Sequence, residues 1–190
     1  MIAAIMIDHL SKKQNNNTGL AYLYCNYKAQ AELDTYELLA AILKQLLLCK
    51  SKIPDSISRL YEKHTGQNTR PSLQDISNLC FDVTMTFSTT YLVIDALDEC
   101  STQNGARYKL LNILHKLQHR ADLRIMATSR IIPEIVQQFE NGLVLEVRAN
   151  DADIKQFIRG QLHRLPKCIQ HDLELQRFVE DEIAAVADGM

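Results

Sequence analysis

The chain has 190 residues, enough for one domain with a substantial core. Hydrophobic residues make up 46%, which excludes a disordered chain, and the formal charge of −2 provides no global field for a polyanion. Nucleic acid is therefore not an expected partner, and no apolar run approaches the length of a membrane span. Five cysteines (Cys25, Cys49, Cys80, Cys100 and Cys168) are widely scattered. Their spacing gives neither a disulfide framework nor a zinc motif, so they read as small apolar residues in a reducing cytoplasm. Cys100 stands beside acids as a candidate reactive thiol, with packing as its expected role.

Met1–Ile7 is apolar but lacks a preceding positive charge, and Asp8 to Lys13 follow it, the wrong polarity for a signal peptide. It reads as the start of an amphipathic helix that begins without a capping side chain. Gln14 to Gly19 form a loop of turn formers, and Leu20–Cys25 a strand. Asp34 with Glu37 opens a long helix to about Lys50, with Leu38, Leu39, Ile42 and Leu46 on its apolar side. Pro54 opens a shorter helix carrying Ile57, Leu60 and Tyr61, and His64 to Pro71 read as a loop. Ser72 caps the next helix, with Leu73, Ile76, Leu79, Cys80 and Val83 at helical spacing.

Tyr91–Asp95 is a strand of the kind buried on both faces of a parallel sheet, and Asp95 falls at its carboxyl end, where such sheets bind ligands. Asp98 and Glu99 follow at once, so three carboxylates share a small volume, an arrangement that a cation such as Mg²⁺ relieves. Gly105 to His119 is a helix with Leu110, Leu111, Leu114 and Leu117 inward. Leu123 to Arg130 is a strand ending in polar residues, and Leu143–Val147 a fourth strand. Asn150 and Asp153 cap a helix to about His163, and a last helix runs from Leu173 to Ala187. Strands alternating with helices predict an α/β fold with a parallel sheet.

If Asp95 and Arg130 end adjacent strands, an acid for Mg²⁺ and a cation for a terminal phosphate lie over one cleft, with Thr128 and Ser129 as further donors. His115 and His119 stand one helical turn apart, but no third ligand is evident and they read as solvated. No G-x-S-x-G and no G-x-G-x-x-G occurs, against an α/β-hydrolase and a dinucleotide-binding domain.

Tyr91-Leu-Val-Ile-Asp-Ala-Leu-Asp-Glu-Cys100, followed by Arg124-Ile-Met-Ala-Thr-Ser-Arg130, resembles the NACHT group of STAND-class signalling P-loop NTPases. The likeness is nearest to the nephrocystin-like modules of fungal multidomain proteins, often set ahead of ankyrin or other repeats. Gly19 to Tyr27 and Asp34 to Leu39 look like that subfamily's second strand and following helix. The resemblance implies a three-layer α/β/α P-loop fold, with residues 1–190 as one partial NACHT domain. Residues 91–99 would be its Walker B segment and 123–130 its sensor 1 region.

Position by position, the resemblance makes Asp95 the acid that holds Mg²⁺ through water, and Asp98 with Glu99 the groups that position or polarise the attacking water. Arg130 becomes the sensor near the γ-phosphate, with Thr128 and Ser129 beside it. It further implies Mg²⁺ and ATP or GTP as cofactors, a slow switch-like hydrolysis, and a cytoplasmic location. Implied partners are protein domains met through flanking effector and repeat modules, and other copies in an oligomer. No G-x-x-x-x-G-K-[ST] occurs, however, and the six glycines are isolated. Met1 falls where the residue after that motif's final Ser or Thr would stand. The expectation is thus a core without its first strand and phosphate loop, weak or inactive toward nucleotide by itself. A non-catalytic interaction scaffold with a vestigial site is the alternative.

Overall fold

The computed structural model describes residues 2–27, 34–140, 142–148 and 150–187. They divide into two compact units, Met1–Glu140 and Asn141–Met190. Met1, expected to open the first helix without a cap, lies outside the described residues.

The first unit is α/β. Its elements are α1 (Ile2–Lys13), β1 (Thr18–Tyr24), α2 (Thr35–Leu48), α3 (Asp55–Gln67), α4 (Leu73–Thr84), β2 (Thr89–Asp95), α5 (Ala106–Gln118), β3 (Leu123–Ala127) and α6 (Pro133–Val136). The strands form one parallel sheet in the order β1-β2-β3. Tyr24 lies opposite Asp95, and Ile94 opposite Ala127, so the carboxyl ends of all three strands finish together.

Side chains alternate across the strands and divide the unit into layers. Ala21, Leu23, Leu92 and Ile94 face a core built with α2, α4 and α5, where Leu39, Val83, Leu110 and Leu111 are almost wholly buried. Leu20 and Val93 take the opposite parity and are also buried; α1 packs against β1 and β2, with Ala3 sealed. Gly19 suits its place because a Cβ there would lie 3.0 Å from both Phe87 Cδ2 and Thr90 Oγ1. The outer edge of β1 is blunted by α2: the Gln45 side chain accepts from the Tyr22 N–H (3.0 Å) and donates to the Tyr22 carbonyl (2.8 Å).

Capping agrees with the sequence. Asp34 accepts from the Glu37 N–H, and Ser72 and Asp75 satisfy each other's backbone in a reciprocal capping box. The helix opened by Pro54 runs further than expected. It continues to Gln67 because Asn68 adopts a left-handed conformation and returns its N–H to His64 and Thr65, while Tyr61 stays exposed.

The fourth strand does not form. Residues 143–147 make no ladder, and Leu143, Val144, Leu145 and Val147 are exposed. Apolar, β-branched composition favours an extended chain, but a strand needs a partner backbone. Among the described residues of the second unit there are only helices and turns: α7 (Asp151–Gln161), α8 (Lys167–Gln170) and α9 (Leu173–Ala187). There Asn150 caps α7, and Arg159 grips the buried Glu180 of α9 through three hydrogen bonds of 3.0–3.1 Å. Among the described residues no helix is long and apolar enough to cross a membrane.

Candidate functional site

Four of the residues singled out in the sequence meet where β2 and β3 end. β2 finishes at Asp95, and the chain then turns sharply because Ala96 takes a left-handed conformation (φ 53°, ψ 53°). A side-chain-bearing residue adopts that region at some cost in strain. The turn aims two successive N–H groups at Thr128, which follows β3. Ala96 N–H donates to Thr128 Oγ1 (2.9 Å) and Leu97 N–H to the Thr128 carbonyl (2.8 Å). Thr128 N–H returns to the Ile94 carbonyl (2.9 Å), and its hydroxyl donates to Asp95 Oδ1 (2.6 Å). Leu97, fully buried, anchors the short turn Leu97–Glu99 against the core.

Thr128 is therefore a two-way junction between the strand tips. Thr128→Val keeps the shape but strips the acceptor from Ala96 and the donor from Asp95. It is expected to lower the unfolding free energy by about 1–2 kcal/mol in urea titration, whereas Thr128→Ser stays near wild type. Equal midpoints for Thr128→Val and wild type would refute the role.

Asp98 points inward. Its side chain is 4% exposed, and both oxygens meet Arg130: Nε donates to Oδ2 at 2.6 Å and the backbone N–H to Oδ1 at 3.3 Å. Burial acts to raise the Asp98 pKa. The hydrogen bonds from Arg130 and from its own backbone, with the guanidinium charge, outweigh burial and hold it below the ordinary aspartate value. Arg130 itself is 79% exposed, and its terminal nitrogens have no hydrogen-bond partner among the described residues. Glu99 Oε2 accepts from the Tyr27 N–H (3.2 Å), clipping the acid turn to the chain beyond β1. Ser129 turns away, donating to the Arg130 carbonyl at 2.8 Å.

The expected neighbourhood of Asp95 and Arg130 is thus present, but with Arg130 locked to Asp98. Asp95 suits a hydrated cation: one oxygen is oriented by Thr128, and the other accepts no hydrogen bond among the described residues. No group of three or more His, Cys, Asp or Glu able to hold a metal occurs among the described residues. His115 packs half-buried against Phe139 (ring centroids 6.1 Å apart), while His119 caps the end of α5. Arg107, which the sequence did not single out, donates to the Asp98 carbonyl at 3.3 Å. Its only signal was a cation in the first turn of α5, where the helix dipole disfavours one.

A parallel α/β sheet whose strand tips carry a threonine-held aspartate and an arginine-held aspartate defines the general class. The sequence model of the nephrocystin 3 N-terminal family matches residues 1–130, ending at Arg130, and the chain belongs to that family. No curated protein matches the chain.

Proposed function

We propose that the tips of β2 and β3 are the metal-and-sensor half of a nucleotide site, in a NACHT-type signalling switch that takes ATP or GTP with Mg²⁺. The observation that carries this reading is Asp95, one oxygen of which accepts no hydrogen bond among the described residues, one strand from Arg130, whose terminal nitrogens donate none among those residues. Asp95 would hold Mg²⁺ through water, with Thr128 keeping the carboxylate in orientation. Arg130 would meet the terminal phosphate with the nitrogens that Asp98 does not use. Asp98 and Glu99 would position the attacking water once their present partners release them. Bound Mg²⁺ would neutralise charge on the phosphates.

Most of the grip on phosphate in such sites comes from the N–H groups and lysine of a G-x-x-x-x-G-K-[ST] loop, which these 190 residues do not contain. The chain alone is therefore expected to bind nucleotide weakly. One observation favours a scaffold instead: both oxygens of Asp98 are already engaged by Arg130, as in a purely structural brace.

Calorimetry with Mg²⁺-ATP and Mg²⁺-GTP separates the readings. It compares this chain with a version joined upstream to a phosphate-binding strand and loop. Micromolar binding by the longer version alone supports the switch. Micromolar binding by the 190-residue chain overturns the expected weakness, and no binding by either supports the scaffold.

A further inference from the structure

The helices α3 and α4 bound a groove of about 230 Å³ that none of the strand-tip residues lines. α3 packs on the core through Ile57 and Leu60. Ser56, Arg59 and Lys63 recur on it at i, i+3 and i+7, one stripe of the helix, and all three line the groove. Asp75 and Asn78, again three residues apart, line it from α4. Half-buried Leu60 and buried Leu79 make its apolar part.

The groove is rich in donors and poor in acceptors. Among the described residues, the Ser56 hydroxyl, the Arg59 guanidinium and the Lys63 ammonium make no hydrogen bond or ion pair. Asn78 Oδ1 accepts from Gln74 Nε2 at 2.9 Å, so what Asn78 still offers is its pair of amide N–H donors. Among the described residues, Asp75 is the one acid of the two helices at the groove; Asp55, Glu62 and Asp82 do not line it. Its Oδ2 is already taken by the Ser72 N–H (2.8 Å) and hydroxyl (2.6 Å), in the capping box that starts α4. Two cations against one engaged carboxylate leave the groove positive, although the whole chain carries a formal charge of −2.

We propose that this groove is a binding site for the phosphate of a phosphoserine or phosphothreonine side chain on a partner peptide. A phosphomonoester carries about −1.5 to −2 charge at pH 7 and three acceptor oxygens. That matches two cations with a hydroxyl and an amide beside them. Arg59 presents two parallel N–H groups to one pair of oxygens, and Lys63 a point charge to the third. A carboxylate, with one charge and two oxygens, would leave a cation and a donor unused.

Size points the same way. The groove is smaller than the roughly 300–1,000 Å³ that drug-sized ligands fill, so it suits a single side chain. Leu60 and Leu79 give apolar contact to the carbon chain that bears the phosphate, which a free phosphate ion lacks. The site does not depend on nucleotide binding at the strand tips, and it stands if that reading fails.

The test follows backbone amide shifts of the isotope-labelled 190-residue chain by NMR during titration with N-acetyl-phosphoserine methylamide. Saturable shifts confined to residues 56–63 and 75–79 are expected, with a Kd of about 1–10 mM for this one-residue probe. N-acetyl-serine methylamide should give none, and inorganic phosphate should bind about threefold more weakly for want of the apolar contact. Arg59→Gln combined with Lys63→Gln should weaken binding by about tenfold or more. Asp75→Asn keeps an oxygen for Ser72 and should tighten binding, because it removes the one opposing charge. The proposal fails if the shifts do not saturate, if they map elsewhere, or if the double variant binds like wild type. Equal affinity for inorganic phosphate would make this a free-phosphate site, and equal affinity for N-acetyl-glutamate methylamide a general acid site. Either result overturns the phosphopeptide reading. The wild-type map alone decides should a variant fail to fold.

Discussion

Replacing Arg130 with alanine is expected to lower the unfolding free energy by about 2 kcal/mol at pH 7, because it removes the guanidinium that offsets the burial of the Asp98 carboxylate. Asp98 has no other side-chain partner among the described residues, and its own side chain is nearly sealed. The exposed guanidinium is screened by solvent, which keeps the loss below the several kcal/mol of a fully enclosed pair. Lysine would restore little, since it cannot present the planar Nε edge that Asp98 accepts.

The loss has a defined pH dependence. In the wild type, Asp98 titrates below its unfolded value of 3.8. The pair's contribution is therefore complete above that value and disappears as pH falls through the lower folded value. In Arg130→Ala the side-chain hydrogen bond and the guanidinium charge are lost while the backbone hydrogen bonds stay, so the folded carboxyl titrates higher than in the wild type and acid relieves part of its penalty. Urea titrations of the two proteins should differ most near neutrality and converge below about pH 4. A gap that stays constant with pH would place the cost in lost packing rather than in the ion pair.

Asp95→Asn should separate fold from function. Asparagine keeps an oxygen to accept from Thr128, so the strand junction survives and the urea midpoint should change little. The charge that would hold a hydrated cation is gone. In a version carrying the phosphate loop, Mg²⁺-ATP affinity measured by calorimetry should fall by about 10–100-fold, the range for losing an outer-shell carboxylate. Unchanged affinity would remove Asp95 from any metal role and leave the aspartate as a structural acceptor.

What could be read in advance was local. Asp34 and Ser72 are followed three residues later by acids, and both cap helices where that spacing indicated. The leucines of α5 face the core as their period demanded. Asp95 stands at the carboxyl end of a buried strand because a run of apolar residues ends there in a charge. The misreadings came where a local pattern needed a distant partner. Leu143–Val147 carries strand composition without a neighbouring ladder. His64 to Gln67 look like loop residues, yet they extend α3 because Asn68 supplies the left-handed cap.

The pairings that make the site were beyond the reach of spacing. Thirty-three residues separate Asp95 from Thr128, thirty-two separate Asp98 from Arg130, and seventy-two separate Tyr27 from Glu99. The sequence by itself determined where most of the helices lie, which two strands end in polar groups, and that one of them ends in an acid while a cation follows the other. Those properties depend on periodicity and on the first few residues of each element. Tertiary structure alone decided that Asp98 would hold Arg130, that Thr128 would orient Asp95, and that Glu99 would accept from the Tyr27 N–H. These contacts depend on parallel strands being brought into one register, and only the buried core beneath them specifies that register.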